Sequence, residues 1–156
     1  MAKAVLISIR PEWVEKILSG EKTLEIRKAR PNMETPFKCY IYCTNNGGRL
    51  ANQDAYLNGK VAAEFVCDTF FPIQFECNAP DAFGAGIEVP CTCLTDRKIL
   101  EYLGNGKRGF AWHISNLKIY DTPKPLSEFK GLRKTKFGYE PAEVKRPPQS
   151  WCYVEG

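Results

Sequence analysis

Runs of apolar residues separated by turn-forming residues predict most of the elements of this chain. A buried first strand is predicted over residues 2–10, because four apolar residues, three of them β-branched, fall within five positions. A helix is predicted from Pro11, which the first turn of a helix tolerates, to Gly20, which suits a C-terminal cap. A second strand is predicted over about residues 22–28. The apolar residues of the helix recur at helical spacing and are expected to pack it onto the sheet: Trp13, Val14, Ile17 and Leu18.

The rest of the chain continues mostly as strands, with one further helix. Four more strands are predicted over residues 37–44, 60–73, 109–121 and 147–155. The second helix is predicted over residues 94–104, with Thr95 as its N-cap and Gly104 as its end. The strand alternation slips at Ser115 and Asn116, which predicts a bulge or a bend there.

This order of elements predicts an α+β protein that is mainly β. We expect five to six strands and two short helices, arranged as a small, closed or nearly closed β-barrel. The segment from residue 122 to residue 146 is expected to be extended or loop-like. The length of 156 residues fits a single domain over residues 1–156, and no repeat or linker divides the chain.

The apolar runs also bear on location. None approaches the roughly 18 residues that a membrane helix requires, so no membrane contact is expected. The first residues are too interrupted by polar positions for a secretory signal, which makes a cytoplasmic location the expectation.

The net charge of +4 is modest, but it is concentrated near the two ends of the chain. Residues 1–30 carry seven lysines and arginines against four acids, and residues 124–146 carry seven against three. If these segments meet in space, they form one basic face that suits a phosphate-bearing partner. Arg133, Lys134 and Lys136 are then candidates for contacts to a nucleic-acid backbone. The alternative is a charged surface that only keeps the protein soluble.

The second predicted strand carries an unusual density of charge. Thr23, Glu25 and Arg27 share one of its faces, and the two apolar residues between them share the other and are expected in the core. Lys22, directly after the turn, and Arg27 could both reach an anionic ligand while Glu25 orients the arginine, and Lys28 would extend the basic surface. The alternative is a solvated face with an exposed ion pair.

Aromatic residues on the predicted strands have two interpretations. Tyr42, Tyr153, Trp112 and Trp151 could stack on bases, since aromatics interleaved with lysine and arginine commonly bind single-stranded nucleic acid. Aromatic residues on strands also fill small cores, and this is the interpretation that we favour for the two tryptophans. Tyr42 is retained as a candidate ligand contact.

Seven cysteines without regular spacing predict reduced thiols rather than a disulfide framework. Cys39 and Cys43 would lie about 13 Å apart on one strand, too far to share a zinc ion. Cys91 and Cys93 could share one with Cys77 or the single histidine, but the chain has no C-x-x-C pair. Neither a metal nor another cofactor is therefore expected.

The segment SIRPEWVEKILSGEKTLEIRK resembles the opening of ASCH (activating signal cointegrator homology) domains. Their signature is a strand, a helix and then G-x-K-x-x-E-x-R, which reads here as Gly20, Lys22, Glu25 and Arg27. The later stretches WHISNLKIYDTPKPLSEF and RPPQSWCYVE resemble small bacterial and phage-associated members. The resemblance implies a PUA-like β-barrel. It also implies that RNA or a nucleotide derivative binds in the cleft beside the signature strand.

The same resemblance leaves an enzymatic alternative open. Some small bacterial relatives hydrolyse acetylated cytidine with a lysine, a threonine and a glutamate, and others are described as nucleases. Lys22 matches the lysine, whereas Glu25 stands in the position of the threonine, and Thr23 lies on the same strand face. Glu64 and His113 are the acid–base candidates for such a hydrolase. Each also has a structural interpretation, Glu64 as an outward-facing acid and His113 as a hydrogen-bonded residue near the core.

Overall fold

The computed structural model describes residues 2–45, 57–76 and 88–156. In chain order its helices and strands are β1 (Lys3–Ile9), α1 (Pro11–Leu18), β2 (Leu24–Arg27), β3 (Phe37–Cys43), β4 (Lys60–Gln74), β5 (Glu88–Val89), β6 (Leu94–Thr95), α2 (Asp96–Leu103), β7 (Arg108–Pro125), β8 (Lys130–Thr135), β9 (Gly138–Glu143) and β10 (Trp151–Glu155), with a 3₁₀ helix at Leu126–Glu128. Eight strands form one sheet in the order β2-β7-β4-β3-β1-β10-β8-β9, and β5 pairs with β6 separately.

The first strand lies near the middle of this sheet, parallel to β3 and antiparallel to β10. Its side chains alternate between two apolar clusters. Val5, Ile7 and Ile9 belong to the main core, and Ala4 and Leu6 belong to a second cluster on the other face of the sheet. Burial on both faces explains why β1 is a nearly continuous apolar run rather than an alternating one.

The two helices pack on the sheet through their apolar faces. In α1, Val14 and Ile17 are buried in the main core. In α2, Ile99 and Leu103 form a third cluster with Ile26 of β2. The Thr95 hydroxyl accepts a 3.2 Å hydrogen bond from the amide of residue 98, so the predicted N-cap of α2 is confirmed.

The mainly-β class with two short helices is confirmed, but the predicted strand count and the closed barrel were wrong. Ten strands are present among the described residues, and within those residues the outermost strands of the large sheet, β2 and β9, do not pair with each other. The prediction missed the hairpin of β8 and β9, because its strands lie at the edge of the sheet. Polar residues are tolerated on both faces there, so the apolar alternation that marks a half-buried strand is weak.

Two further features bear on the predictions. Asn116 has a φ of 48°, and the pairing of β4 with β7 shifts register nearby, which confirms the bend expected in this strand. Of the helices in the described ranges, none combines the length and apolar character needed to span a lipid bilayer.

Candidate functional site

A cavity of about 950 Å³ lies beside β2, between the C-terminal end of β1, the start of α1, helix α2 and the residues that lead into β10. Its lining includes five cationic side chains and one carboxylate: Arg10, Lys22, Arg27, Lys28, Lys98 and Glu25. Three aromatic residues complete the wall: Trp13, Tyr102 and Trp151. Strand β1 pairs with β10 and α2 packs against β2, and the Arg27 side chain joins these two parts of the fold.

Lys22 is the most buried charged residue of this cavity, with 2% of its surface exposed. The turn at Gly20, whose φ is +85°, directs the chain back over the end of α1. The Lys22 ammonium donates a 2.5 Å hydrogen bond to the carbonyl oxygen of Thr92 and lies 5.6 Å from the centre of the Trp13 ring. Burial lowers the pKa of Lys22 below its ordinary 10.5, although the neighbouring Glu25 opposes this shift.

The loop before α2 holds this carbonyl in place. The carbonyl oxygen of Cys91 accepts hydrogen bonds from the amides of Thr23 and Leu24, at 2.9 and 3.0 Å. Cys91 and Cys93 both have positive φ, at 67° and 58°, a conformation that costs energy for residues other than glycine. Local backbone strain is thus retained on both sides of Thr92, the residue that binds the lysine.

Glu25 lies between the lysine and the arginine and is 7% exposed. Its Oε2 atom is 3.9 Å from the Lys22 ammonium, and its Oε1 atom is 3.3 Å from Nε of Arg27. The contact to Arg27 has the distance of an ion pair but not the geometry of a hydrogen bond. Among the described residues, Glu25 Oε2 and Arg27 Nε have no hydrogen-bond partner although both atoms are buried. Each atom thus keeps an unused hydrogen-bonding capacity, which a ligand in the cavity can satisfy once the side chains shift to expose it.

The other nitrogens of Arg27 connect three parts of the fold. Its Nη2 atom donates to the carbonyl oxygen of Ser8 at 2.7 Å, and Nη1 donates to the hydroxyl of Ser150 at 3.1 Å. The Ser8 hydroxyl in turn donates to the carbonyl oxygen of Pro148 at 2.7 Å. One guanidinium thus ties β2 to the end of β1 and to the segment before β10, which shapes the floor of the cavity.

The aromatic wall is closely associated with cations. The ammonium groups of Lys98 and Lys28 lie 5.5 Å and 5.2 Å from the ring centres of Trp13 and Tyr102, respectively. Both distances are in the range of a cation–π contact. Because Lys28 and Lys98 are otherwise exposed, they can move from these rings to an anion at little cost.

The structure therefore brings together four of the residues predicted to bind a ligand, namely Lys22, Glu25, Arg27 and Lys28. Tyr42, the fifth, is buried in the second apolar cluster and does not line the cavity. It lies on β3, with its hydroxyl near Gly59.

The remaining acid–base candidates lie elsewhere. Thr23 is half-buried and is held through its backbone, and it is not part of the cavity lining. Glu64 accepts a 2.6 Å hydrogen bond from Tyr120 and lies 3.7 Å from the Lys38 ammonium. Burial and this carboxylate raise the pKa of Tyr120.

His113 also lies outside the cavity. Its Nδ1 atom is 2.6 Å from a carboxylate oxygen of Asp68, and both side chains are more than one-third exposed. This pair is on the surface of β4 and β7, and the structure does not bring His113 to Lys22.

Arg133, Lys134 and Lys136 lie on the hairpin of β8 and β9, outside the lining of the cavity. Arg133 forms an exposed ion pair with Glu140 on the partner strand. Lys134 and Lys136 are exposed near the tip of the hairpin.

Sequence reasoning did not single out five residues that line the cavity: Arg10, Lys98, Tyr102, Gln149 and Ser150. Lys98 and Tyr102 are four positions apart and so share one face of α2, a signal that the sequence contained. Nothing local in the sequence, however, indicates that this face meets β2. The position of Ser150 depends equally on the pairing of β1 with β10, which joins the two ends of the chain.

Among the described residues, six cysteines are free and no cluster of three or more metal-ligating side chains forms. Burial raises the pKa of Cys43 to about 11 and that of Cys67 to about 12, so these thiols are poor nucleophiles. Cys77, considered above as a possible metal ligand, lies outside the described residues.

Comparison with known proteins finds similarity to one family. Residues 7–63 match the family model of the ASCH domain, a range that contains the end of β1, all of α1, β2 and β3, and the start of β4. Comparison with curated protein sequences found no match. The resemblance to ASCH domains recognised in the sequence is confirmed.

Crystal structures of an ASCH protein from Zymomonas mobilis are similar to nearly the whole chain. The unmodified protein aligns with a TM-score of 0.54 and 18% identity, over 97% of this chain and 87% of that one. Two point mutants of the same protein align with TM-scores of 0.57 and 0.56, at 15% and 16% identity, over 97% of this chain and 90% and 88% of theirs. At this level of identity the similarity establishes the fold.

Proposed function

We propose that the cavity beside β2 binds RNA or a nucleotide, with its cations on phosphate and Glu25 on a base or a sugar hydroxyl. At the level of the family, the match to the ASCH domain supports an RNA-binding role. The specific assignment to this cavity rests on its own chemistry.

The observation that carries the proposal is the charge of the lining. Five cations face one carboxylate in a concave site of about 950 Å³, a volume typical of small-molecule sites. Concave walls focus the field of such a cluster, which raises the local concentration of anions. A phosphate group satisfies this requirement, because it offers several acceptor oxygens to the Lys and Arg side chains.

Within the cavity the buried groups have complementary roles. Lys22 is too buried to act as a surface charge that keeps the protein soluble, so its ammonium is suited to bind a ligand inside the cavity. Glu25 Oε2, which accepts no hydrogen bond, suits an exocyclic amino group or a hydroxyl, and Arg27 Nε suits a phosphate or carbonyl oxygen. The aromatic side chains beside them, Tyr102 above all, offer a surface on which a base can stack.

The test compares the wild type with a double variant of the two exposed cavity lysines, Lys28→Ala/Lys98→Ala. Affinities for uridine monophosphate and for a fluorescent oligouridine of about 12 nucleotides are measured between about 50 and 200 mM salt. The double variant is expected to bind at least about tenfold more weakly, with a salt slope that is shallower by about 0.7 for each phosphate that is no longer neutralised. Lys118→Ala, an exposed lysine of β7 outside the cavity, is the matched control and is expected to behave as the wild type.

The proposal fails if the wild type binds neither ligand. It also fails if the double variant and Lys118→Ala bind equally well, because the charge would then act from the whole surface rather than from the cavity.

One observation favours a hydrolase as the second candidate. A buried lysine with a lowered pKa beside a carboxylate is a typical acid–base group, and Lys22 has both properties. In this alternative Lys22 and Glu25 carry the proton transfers, since Glu64 and His113 do not line the cavity. Turnover of acetylated cytidine or of RNA, followed by mass spectrometry and abolished in Lys22→Met, would support it. No turnover of either substrate by the wild type would exclude it.

A further inference from the structure

A row of aromatic side chains leads away from the cavity along the outer strands of the sheet. We propose that this row, together with the lysines beside it, binds the continuation of a single-stranded nucleic acid whose end or inner nucleotide occupies the cavity. The inference rests on the proposed function and narrows its ligand to a single-stranded polynucleotide rather than a free nucleotide. We call the row the aromatic track and define it as Trp151, Tyr153, Tyr139 and Phe137.

Ring contacts join Trp151, Tyr153 and Tyr139, so this part of the track is continuous with the cavity. Trp151 lines the cavity, and its ring centre is 5.4 Å from that of Tyr153. Tyr153 in turn lies 6.0 Å from Tyr139 of β9. The Tyr153 hydroxyl accepts a 2.9 Å hydrogen bond from the amide of Asn32, which fixes the middle of the track.

Strand register explains why the rings of Trp151, Tyr153 and Tyr139 share one face. Trp151 and Tyr153 are two positions apart on β10 and therefore point to the same side of the sheet. Gly131 of β8 pairs with Val154, so these two residues share the face of the sheet opposite to Tyr153. Because side chains alternate along a strand, the two neighbours of Gly131 lie on the face of Tyr153, and so does Lys134. Lys134 pairs with Tyr139 across the hairpin, which places Tyr139 on that face as well.

Cations accompany the track along its length. The ammonium of Lys3 lies 4.0 Å from the Tyr139 ring centre and 4.4 Å from that of Tyr153. Lys134 lies opposite Tyr139, and Lys136 precedes Phe137 at the tip. In the sheet, β10 lies between β1 and the hairpin, and Lys3 of the first basic segment reaches the hairpin of the second one across it.

On β1, β10 and the two strands of the hairpin, acidic residues on this face are confined to the end of β10 and to the end of the hairpin away from Phe137. Glu143 pairs with Lys130 at the opposite end of the hairpin from Phe137, and Glu155 pairs with Lys3. Each acid thus has a lysine opposite it, whereas Lys134 and Lys136 have no acid opposite them in the register of these strands. The tip of the track is the part with uncompensated positive charge.

Phe137 is the observation that points to a stacking partner. It is 97% exposed at the tip of the hairpin, where Thr135 closes the turn with hydrogen bonds to the amide of residue 137 and the carbonyl oxygen of Gly138. Such an exposed ring contributes little to the folded state, since it buries almost no surface. A ring beside two lysines suits a base and its phosphates, and only unpaired strands present the faces of their bases.

The experiment separates the track from the cavity by ligand length. The wild type, Phe137→Ala and Lys134→Ala/Lys136→Ala are titrated with uridine monophosphate and with single-stranded oligouridine of about 12 nucleotides. Phe137→Ala is expected to weaken binding of the oligomer about tenfold, in the range of one stacked base, and to leave the monophosphate unaffected. The lysine double variant is expected to reduce the salt slope for the oligomer alone. Phe71→Ala, a half-exposed aromatic of β4 outside the track, is the control for loss of an apolar ring.

Each outcome decides a different point. If Phe137→Ala and the lysine double variant bind the oligomer as Phe71→Ala does, while Lys28→Ala/Lys98→Ala loses both ligands, the track is overturned and the cavity remains. If the cavity variant loses neither ligand, the proposed function falls and the track, which depends on it, falls too. The inference is also overturned if Phe137→Ala weakens binding of a duplex RNA as much as it weakens binding of the oligouridine. It is overturned as well if Phe137→Ala loses binding to acidic lipid vesicles but still binds RNA as the wild type does.

Discussion

The ammonium of Lys22 and the carbonyl oxygen of Thr92 are 2.5 Å apart, although 70 residues separate them in the chain. This hydrogen bond joins the turn after α1 to the loop before α2, and it places a buried cation at the inner wall of the cavity. A lysine in such a position is costly to bury, because its charge leaves water. The proposed function offers an explanation for this cost, in which the buried charge serves to bind an anionic ligand.

That explanation predicts the behaviour of Lys22→Met. The substitution keeps most of the side-chain volume but removes the charge and its desolvation cost, and it leaves the Thr92 carbonyl without a donor. These effects oppose each other, so the free energy of unfolding in urea is expected to change by less than about 1 kcal/mol. Affinity for nucleotide or RNA is expected to fall at least about tenfold, the loss of roughly one charged hydrogen bond.

Lys16→Met serves as the control, since Lys16 is an exposed lysine paired with Glu21 near the same turn. It is expected to change neither quantity. If Lys22→Met instead lowered the free energy of unfolding by more than about 3 kcal/mol, Lys22 would be a structural residue. A loss of that size is typical when one partner of a buried ion pair is removed.

The lowered pKa of Lys22 predicts a pH dependence with a defined sign. Burial places the pKa of Lys22 in the folded protein below its ordinary value of 10.5, which it has in the unfolded chain. Between these two values the unfolded chain holds a proton that the folded protein has released, so the stability contributed by Lys22 rises with pH. Affinity for an anion falls over the same range, because the neutral amine no longer attracts it.

Anion affinity is therefore expected to begin its decline below pH 10.5 in the wild type. Titrations of uridine monophosphate at a series of alkaline pH values check this, with Lys22→Met as the reference. A decline of the same size and midpoint in that variant would show that another group is responsible.

The part of this site that the sequence predicted is the part encoded locally. The periodicity of α1 and the alternation of β2 indicated that Lys22, Glu25 and Arg27 follow one turn and share a strand region, and the structure places all three in the cavity lining. The role of the Thr92 carbonyl had no such signal, because it depends on backbone conformation in a distant loop. The place of Lys98 in the cavity could not be predicted from the sequence either, since only the packing of α2 on β2 brings it there.

The hairpin of β8 and β9 was missed for a related reason. Strand prediction depends on a buried face, and this hairpin pairs with the rest of the sheet only through β10, at the single position Val154–Gly131. Its sequence therefore lacks apolar alternation, and Pro141 further disguises it, although proline is tolerated in an edge strand. The turn residues Thr135 and Gly138 were the available signal.

Arg27 has a structural task besides its proposed role in binding, and this task predicts a cost for Arg27→Lys. An ammonium cannot donate simultaneously to the Ser8 carbonyl and the Ser150 hydroxyl with the geometry of a guanidinium. We expect the free energy of unfolding to fall by about 1–3 kcal/mol, because a buried carbonyl is left without its partner. Urea denaturation measures this change.

Arg133→Lys is the matched control. Arg133 pairs with Glu140 on the surface, where ion pairs contribute little, so a change within about 0.5 kcal/mol is expected. Equal costs for the two substitutions would contradict the assignment of Arg27 as a tie between β2, β1 and the segment before β10.

Gly109 in β7 is required for the close packing of α2 behind the cavity. A Cβ atom at this position would lie 2.5 and 2.9 Å from the two δ-carbons of Leu103 and 3.1 Å from the carbonyl oxygen of Arg27. Gly109→Ala is therefore expected to lower the free energy of unfolding by about 1–3 kcal/mol, as overpacking does. It is also expected to weaken ligand binding, because the backbone of Arg27 must move.

The contact with Leu103 can be isolated by a double-mutant cycle, with stability and affinity measured for each variant. In a Leu103→Ala background the δ-carbons are absent, so Gly109→Ala should cost less stability than it does in the wild type. The contact with the Arg27 carbonyl persists in that background, so the decrease in ligand affinity should remain. If the stability costs of Gly109→Ala and Leu103→Ala were simply additive, the contact between Gly109 and Leu103 would not be the cause of the lost stability.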